Sequence, residues 1–138
     1  MEIMNFVARL VRLGPAIDHA KRAALAKSGD EVVEEIKRVI GTYEYGWPAL
    51  ADSTMKKKSA DTPLLETGEL RESYGMVIIS NDEVEVGSAN PKAIWQEQGT
   101  ERIPPRPVIL GASVAKEKEI HKIVTDAVHV TILATLGL

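Results

Sequence analysis

Apolar residues up to position 40 recur at the spacing of an amphipathic helix. One helical face holds Ile3, Val7, Leu10 and Val11, and a similar stripe continues from Ile17 to Val39. Gly14-Pro15 interrupts the helical pattern, and Pro15 suits the first turn of a following helix. Gly29 is a second weak point, because glycine inside a helix costs about 1 kcal/mol. We predict one long helix with a kink near Gly29, or two helices split there, ending at Gly41 as a C-cap.

Two short β-rich runs in the middle of the chain predict a hairpin. They are "MVIIS" at 76–80 and "EVEVG" at 83–87, separated by Asn81-Asp82. Val84 and Val86 alternate with glutamates, so the second strand should have one buried and one wet face. The first run is apolar throughout its centre, which favours it as the more interior strand.

The remainder of the middle zone predicts turns and short helices. Residues 41–50 and 55–63 are typical of loops or short helical pieces. Thr62-Pro63 can start a helical turn, with Thr62 as N-cap. The stretch from Pro91 to Gly99 predicts a short helix stopped by its glycine. "PVIL" at 107–110 is a candidate for a further strand beside the hairpin.

The last zone, from Ala112 onward, is helical in pattern. Its apolar residues from Ile120 to Thr131 share one helical face. The run 124–133, "VTDAVHVTIL", is rich in β-branched residues and leaves a strand open as the alternative. The fold class predicted is α+β, with a long N-terminal helix and a C-terminal helix flanking a small antiparallel sheet and a proline-rich arm. We expect a single domain over 1–138, helical over 1–40, with the loop, hairpin and arm region at 41–111 and the C-terminal helix at 112–138.

Composition narrows the function classes. The chain has 138 residues, which fits one domain, and a formal net charge of −3, which would repel a phosphate backbone. Aromatic residues make up only 4%, too few for a base-stacking surface. Nucleic-acid binding is therefore disfavoured, although Lys56-Lys57-Lys58 could contact a nucleic acid or an acidic partner. The absence of cysteine excludes disulfides, thiolate catalysis and zinc sites built on Cys.

The sequence carries no targeting signal that we recognise. The N-terminal run "MEIMNFVARLVRLG" has no long apolar stretch of the signal-peptide type. No segment approaches the roughly 20 apolar residues of a membrane-spanning helix. We expect a cytoplasmic location when the protein is made, and no membrane partner.

Candidate catalytic residues lack the spacing that chemistry needs. His19, His121 and His129 have no HExxH partner for a metal site. Glu66, Glu69 and Glu72 repeat every three residues, a spacing more typical of a solvated helix face than of a glycosidase acid pair. No serine stands in a G-x-S-x-G context. We expect no catalytic residues, no metal and no cofactor.

The run Pro104-Pro105-Arg106-Pro107 has two interpretations. It contains the P-x-x-P pattern with an arginine that SH3-type grooves bind. In a compact domain it is more simply a stiff extended arm, because proline fixes φ and removes donors. Such an arm suits docking against a neighbouring subunit, and Arg106 would anchor it to a carboxylate or to backbone carbonyls.

Several short motifs follow one another in the middle zone. They are Trp47-Pro48-Ala49-Leu50 with Ser53-Thr54 and Lys58, Leu65-Glu66-Thr67-Gly68-Glu69-Leu70-Arg71 with Ser73, Val86-Gly87, Glu97-Gln98-Gly99-Thr100, and Ile103-Pro104-Pro105-Arg106-Pro107. In this order they resemble the tail-completion and virion-morphogenesis proteins of tailed phages, which include minor tail, neck and head–tail joining proteins. The resemblance covers about residues 40 to 111, and the flanking helices resemble that family only in kind.

The resemblance implies a structural protein rather than an enzyme. It would complete the tail or join it to the head, by self-association and by docking onto tail-tube or head-connector proteins. The expected assembly is a ring-like homo-oligomer, with a hexamer as one option, in the virion neck or tail after assembly in the host cytoplasm. The candidates for the assembly interface are Trp47, Leu65, Thr67, Gly68, Leu70, Arg71, Glu97, Gly99, Thr100, Pro105, Arg106 and Pro107.

Two other functions stay open at this point. One is a small hydrolase or metal-dependent enzyme that uses His121, His129 or the acids from Glu66 to Glu72. The other is a peptide-binding adaptor module with an exposed polyproline ligand.

Overall fold

The computed structural model describes residues 2–138 and contains five helices and two strands over that range. The class is α+β, as predicted, with a long N-terminal helix, a long C-terminal helix and a two-stranded antiparallel sheet. The elements are α1 (Glu2–Val39), α2 (Asp52–Lys58), α3 (Glu69–Ser73), β1 (Tyr74–Ser80), β2 (Glu83–Ser88), α4 (Pro91–Gln98) and α5 (Val108–Leu136).

These elements contribute to two compact units. The first unit contains the chain up to Gly29, the hairpin tip Val77–Glu85 and the segment Glu117–Leu138. The second unit contains Asp30–Met76 and Val86–Lys116. All the short helices, α2, α3 and α4, therefore belong to the second unit.

Helix α1 runs without interruption through Gly14, Pro15 and Gly29. The predicted punctuation at Gly14-Pro15 and the alternative split at Gly29 are therefore wrong. Proline removes the hydrogen bond to the carbonyl four residues earlier, which belongs here to Val11. Both Pro15 and Val11 are exposed, so water can satisfy that carbonyl and the helix tolerates the proline.

In the first unit, contacts link the two ends of the sequence and the hairpin tip. Arg9 Nη1 donates a hydrogen bond to the carbonyl of Leu136 at 3.0 Å. Lys21 forms an ion pair with Asp82 in the turn of the hairpin. Large apolar side chains at the start of α1 remain exposed, among them Ile3 and Met4.

The core of the second unit forms where the end of α1 meets the start of α5. The largest fully buried side chains in the part of the chain that the structure describes are Ile36, Val39, Pro63 and Val108. Apolar burial of this kind contributes about 25 cal/mol per Å² removed from water. This core fixes the framework on which the shorter segments are mounted.

The hairpin lies where the sequence predicts it, but β1 is not an interior strand. The predicted alternation in β2 is confirmed, with Val84 and Val86 half-buried and the glutamates exposed. In β1, Val77 and Ile79 are 62% and 51% exposed. An apolar run suggests burial on both faces, but β1 pairs with β2 alone in a two-stranded sheet, and one face of it stays uncovered.

Two further local predictions are corrected, and one open alternative is decided. Residues 108–110 of "PVIL" begin α5 and do not form a strand. Thr62-Pro63 starts no helix, because Pro63 and Leu64 form a turn and the next helix begins at Glu69. The β-branched run 124–133 is helical, so the strand left open there is not formed. The short helix that ends before Gly99 is confirmed as α4.

Candidate functional site

The turn at 64–70 and the proline-rich arm lie along one groove in the second unit. The groove has a volume of about 770 Å³, within the size range of ligand-binding clefts. Its lining comes from four places in the sequence. These are 49–51 with the α2 residues Ser53, Thr54, Lys57 and Lys58, the turn residues Leu64 and 66–70, the α4 residues Lys92 and Gln96, and the arm residues Arg102, Ile103, Pro104 and Arg106.

Arg106 fastens the arm to the wall of this groove. Its side chain is buried, with only 5% of the residue exposed. Nε and Nη2 donate to the carbonyl of Pro48 at 3.1 and 2.9 Å, and Nη2 also donates to the carbonyl of Ala49 at 3.1 Å. Of the two anchors expected for Arg106, a carboxylate or backbone carbonyls, the structure shows backbone carbonyls, and they belong to its own chain. A planar guanidinium suits this role because its donors diverge from one rigid fork.

Glu97 fastens the other end of the arm by capping α5. Its carboxylate accepts hydrogen bonds from the backbone N–H groups of Val108, Ile109 and Leu110 at 2.8, 3.1 and 3.0 Å. The first N–H groups of a helix have no partner inside it, and the helix dipole favours a negative charge there. This contact from α4 explains why the predicted strand at 107–110 is the first turn of a helix.

Between these two fastenings the arm folds into a closed loop. Gly99 has φ of +75°, and a Cβ there would lie 2.8 Å from the nitrogen of Pro105. The N–H of Thr100 donates to the carbonyl of Ile103 at 2.9 Å. The Thr100 hydroxyl oxygen accepts from the N–H groups of Arg102 and Ile103 at 3.2 and 3.3 Å. Glycine at 99 is thus required by both conformation and space.

The turn at 66–70, which also lines the groove, depends on Gly68. Gly68, not Thr67, is the N-cap residue of α3, and it has φ of +87°. The Thr67 hydroxyl oxygen still accepts a hydrogen bond from the N–H of Glu69 at 3.3 Å. Leu70 is buried and Leu65 is half-buried. Arg71 lies 3.3 Å from Glu72 in an ion pair.

Trp47 has a structural place in the second unit and does not line the groove. It is buried, and its ring meets that of Tyr45 edge to face with centroids 5.7 Å apart. Such aromatic pairs contribute about 0.5–1.5 kcal/mol beyond area burial. Pro107 and Pro105 lie with these aromatic rings along a second cleft of about 430 Å³.

Glu35 is a buried carboxylate that no sequence pattern singled out. Its Oε1 accepts from Arg38 Nη2 at 2.7 Å and from the Tyr45 hydroxyl at 2.8 Å. The hydrogen bond from Arg38 is the main reason that the pKa of Glu35 is lowered, despite the opposing effect of burial. The pKa of Tyr45 is raised, mainly by burial of the hydroxyl and secondly by its hydrogen bond to Glu35. Arg38 also binds Glu44, whose pKa it lowers.

The groove is cationic. Five basic and two acidic side chains line it, although the whole chain carries a formal charge of −3. Lys92 pairs with Glu69 at 3.9 Å. Lys58 donates to the carbonyl of Thr62 at 2.7 Å, and burial lowers its pKa. Lys57 and Arg102 are exposed, and neither forms an ion pair within residues 2–138.

The residues of the enzyme hypothesis are dispersed. His121 and His129 lie exposed on α5. Glu69 bonds the amide of Asn90 at 3.2 Å, and Glu72 pairs with Lys37 at 3.4 Å. Over residues 2–138 no group of three or more His, Cys, Asp or Glu side chains is placed to hold a metal ion.

Comparisons with protein-family models, with curated proteins and with solved structures found no match to this chain. No helix within residues 2–138 combines the length and apolarity needed to cross a membrane.

Proposed function

We propose that this chain is a structural assembly protein of a tailed phage or prophage that acts at tail completion or head–tail joining. The observation that supports the proposal is the convergence of separate motifs on one groove. Arg106 joins the arm to Pro48 and Ala49, and Gly68 shapes the turn at 66–70 that lines the same groove. These are the segments whose order resembles the phage family.

The arrangement suits docking because the groove's framework is rigid. The arm is held by Arg106 at one end of its loop and by Glu97 through the first turn of α5. Prolines between these points leave little backbone freedom to lose when a partner binds. Buried candidates such as Trp47 and Leu70 act by shaping the framework, while exposed candidates such as Thr67, Thr100 and Pro105 remain available to a partner.

The same framework bears on the polyproline hypothesis. Pro104 and Pro105 are exposed, but Arg106 is buried and committed to two carbonyls of its own chain. An SH3-type groove reads the arginine together with the prolines. The arm is therefore better suited to hold a surface in shape than to serve as an SH3 ligand.

The test is disruption of this gene in the parent phage or induced prophage, followed by negative-stain electron microscopy of the lysate. We expect filled heads beside unattached or abnormal tails, with restoration of particles when the intact gene is supplied in trans. The matched control is a strain with the same cassette placed outside the open reading frame. Normal yields of infectious particles from the disrupted strain would overturn the proposal.

A further inference from the structure

We infer that the groove of the second unit binds an acidic peptide segment of a partner protein, one that also carries apolar side chains. The inference rests on the proposed docking function and names the chemistry of the partner. It comes from the charge and the lining of the groove.

The charge of the groove is the first step. Lys57 and Arg102 extend from two different segments, α2 and the arm, and both line the same groove. Neither forms an ion pair within residues 2–138, so their charges are available to a ligand. Lys58 and Arg106 add positive charge deeper in the groove, where their contacts are neutral carbonyls. Partly desolvated cations of this kind attract carboxylates more strongly than exposed ones do.

The apolar part of the lining is the second step. The lining also contains four apolar residues that are half-buried or exposed, Leu50, Leu64, Ile103 and Pro104. A ligand with carboxylates alone would leave these side chains facing water. A peptide with both acidic and apolar side chains would cover them and pair the cations at the same time.

A nucleic acid fits the same groove less well. A phosphate backbone has no apolar side chains with which to cover the apolar lining residues Leu50, Leu64 and Ile103. None of the lining residues is aromatic, so unpaired bases would find no ring to stack on. The peptide is therefore the occupant that the lining favours.

The backbone at Leu64 indicates that the groove wall is held in a set shape. Leu64 has φ of +65°, in the left-handed region that non-glycine residues seldom adopt. The turn around it is fixed by a hydrogen bond from the N–H of Gly41 to the carbonyl of Pro63 at 2.8 Å. A wall held in this way is formed before the ligand arrives, which reduces the ordering that binding requires.

The test uses the full chain and a fluorescein-labelled synthetic peptide that combines aspartates and glutamates with leucines. Fluorescence anisotropy is measured against the same peptide with lysines in place of the acids, and against one with serines in place of the leucines. We expect binding of the acidic leucine peptide, weaker binding of the serine peptide and none of the lysine peptide. A labelled single-stranded DNA oligonucleotide is the fourth probe, and binding as tight as that of the acidic peptide would overturn the inference.

Charge reversal locates the site. The double variant Lys57→Glu with Arg102→Glu should weaken binding of the acidic peptide by about tenfold or more. The control pair is Lys56→Glu with Lys118→Glu, which changes net charge equally from exposed positions that do not line the groove. Equal weakening by both pairs, or no binding of the acidic peptide at all, would overturn the inference. The thermal unfolding midpoint of each variant verifies the fold, and Lys57→Gln with Arg102→Gln replaces the reversal if that variant unfolds.

The two proposals fail separately. Absence of peptide binding by the purified chain leaves the particle phenotype of the disrupted gene unaffected. Normal particles from the disrupted strain would leave the measured peptide binding unexplained by phage assembly but still a property of the groove.

Discussion

Two buried charged side chains, Arg106 and Glu35, hold the second unit together at points that apolar packing does not reach. A buried charge is costly unless every donor or acceptor is matched. Nε and Nη2 of Arg106 donate to carbonyls, and Glu35 accepts from a guanidinium and a hydroxyl. At the scale of single residues, these two groups should respond to substitution more strongly than any exposed charge.

Replacing Arg106 should lower stability even when the charge is kept. We expect Arg106→Lys to reduce the free energy of unfolding by about 2 kcal/mol, because an ammonium group cannot reach both carbonyls in the geometry of the fork. The measurement is urea denaturation followed by circular dichroism. Arg102→Lys, at an exposed arm position, is the control and should change it by less than about 0.5 kcal/mol. Equal stability of Arg106→Lys and the unchanged chain would contradict this role.

Glu35 should make stability depend on acid pH. The bond from Arg38 holds the pKa of Glu35 below its ordinary value of 4.5 in the folded chain. As the pH drops below 4.5, the unfolded chain takes up this proton first, so the stabilisation is lost as the pH falls through the lower folded-state pKa. Glu35→Gln should be less stable by about 1–3 kcal/mol at neutral pH, and the difference should shrink below pH 4.5.

The check is the free energy of unfolding of both proteins at a series of pH values from neutral to strongly acidic. Glu34→Gln is the matched control, since Glu34 is its exposed neighbour on α1. A gap between Glu35→Gln and the unchanged chain that stays constant at every pH would refute the assigned role of the ionised carboxylate.

At the scale of elements, the start of α5 is stabilised by a residue of another helix, α4. Its first turn contains no side chain that caps it from within, and Glu97 of α4 does so instead. Ser73 and Ser88, joined through their hydroxyl groups at 2.6 Å, tie the end of α3 to the end of β2 in a comparable way. The short elements of the second unit are thus stabilised by contacts between elements more than by their own propensities.

Removing the carboxylate of Glu97 should loosen the start of α5. We expect Glu97→Ala to cost about 1–2 kcal/mol of stability, with Glu97→Gln in between because its amide oxygen still accepts but carries no charge. Amide hydrogen exchange should accelerate first at Val108, Ile109 and Leu110. Glu101→Ala, an exposed glutamate of the arm loop, serves as control. Unchanged exchange at these three amides in Glu97→Ala would rule out the cap.

The elements that the sequence predicts correctly are those with local signals. The hairpin follows from Asn81-Asp82 between β-rich runs, and α4 follows from Pro91 at its start and Gly99 at its end. The prediction of a strand at 107–110 was wrong because the conformation of this segment depends on hydrogen bonds to Glu97, which lies in another element. The prediction of a helix break at Pro15 was wrong because the proline lies on the exposed side of α1, where water can replace the missing hydrogen bond.

The groove was predictable only in part, for a similar reason. The sequence singles out Gly68, Gly99 and Arg106 by their residue types, and all three have conformational or bonding roles at the groove or in its framework. That Lys57 and Arg102 line the same groove was not predictable, because α2 and the arm are far apart in sequence. A sequence pattern indicates the buried faces of helices and strands and the positions of turns, but it does not indicate which distant segments come into contact.

At the scale of the whole molecule, net charge and local charge have opposite signs. The chain carries −3 overall, while the groove of the second unit is lined by five basic and only two acidic side chains. Long-range repulsion between copies and local attraction for a carboxylate-bearing segment can therefore coexist. Such a distribution favours a defined partner over non-specific association.

The fastening of the arm by Arg106 also sets an order of events in time. The contact joins residues 58 positions apart, whereas the hairpin and the Glu97 cap close over much shorter distances in the sequence. Closing a longer loop costs more conformational entropy. We therefore expect the Arg106 contact to form later in folding than the hairpin and the Glu97 cap. A chain emerging from the ribosome completes its short elements first, and the groove gains its second wall only after residue 106 has been made. The groove that we propose for docking is therefore incomplete until the chain has been synthesised beyond Arg106.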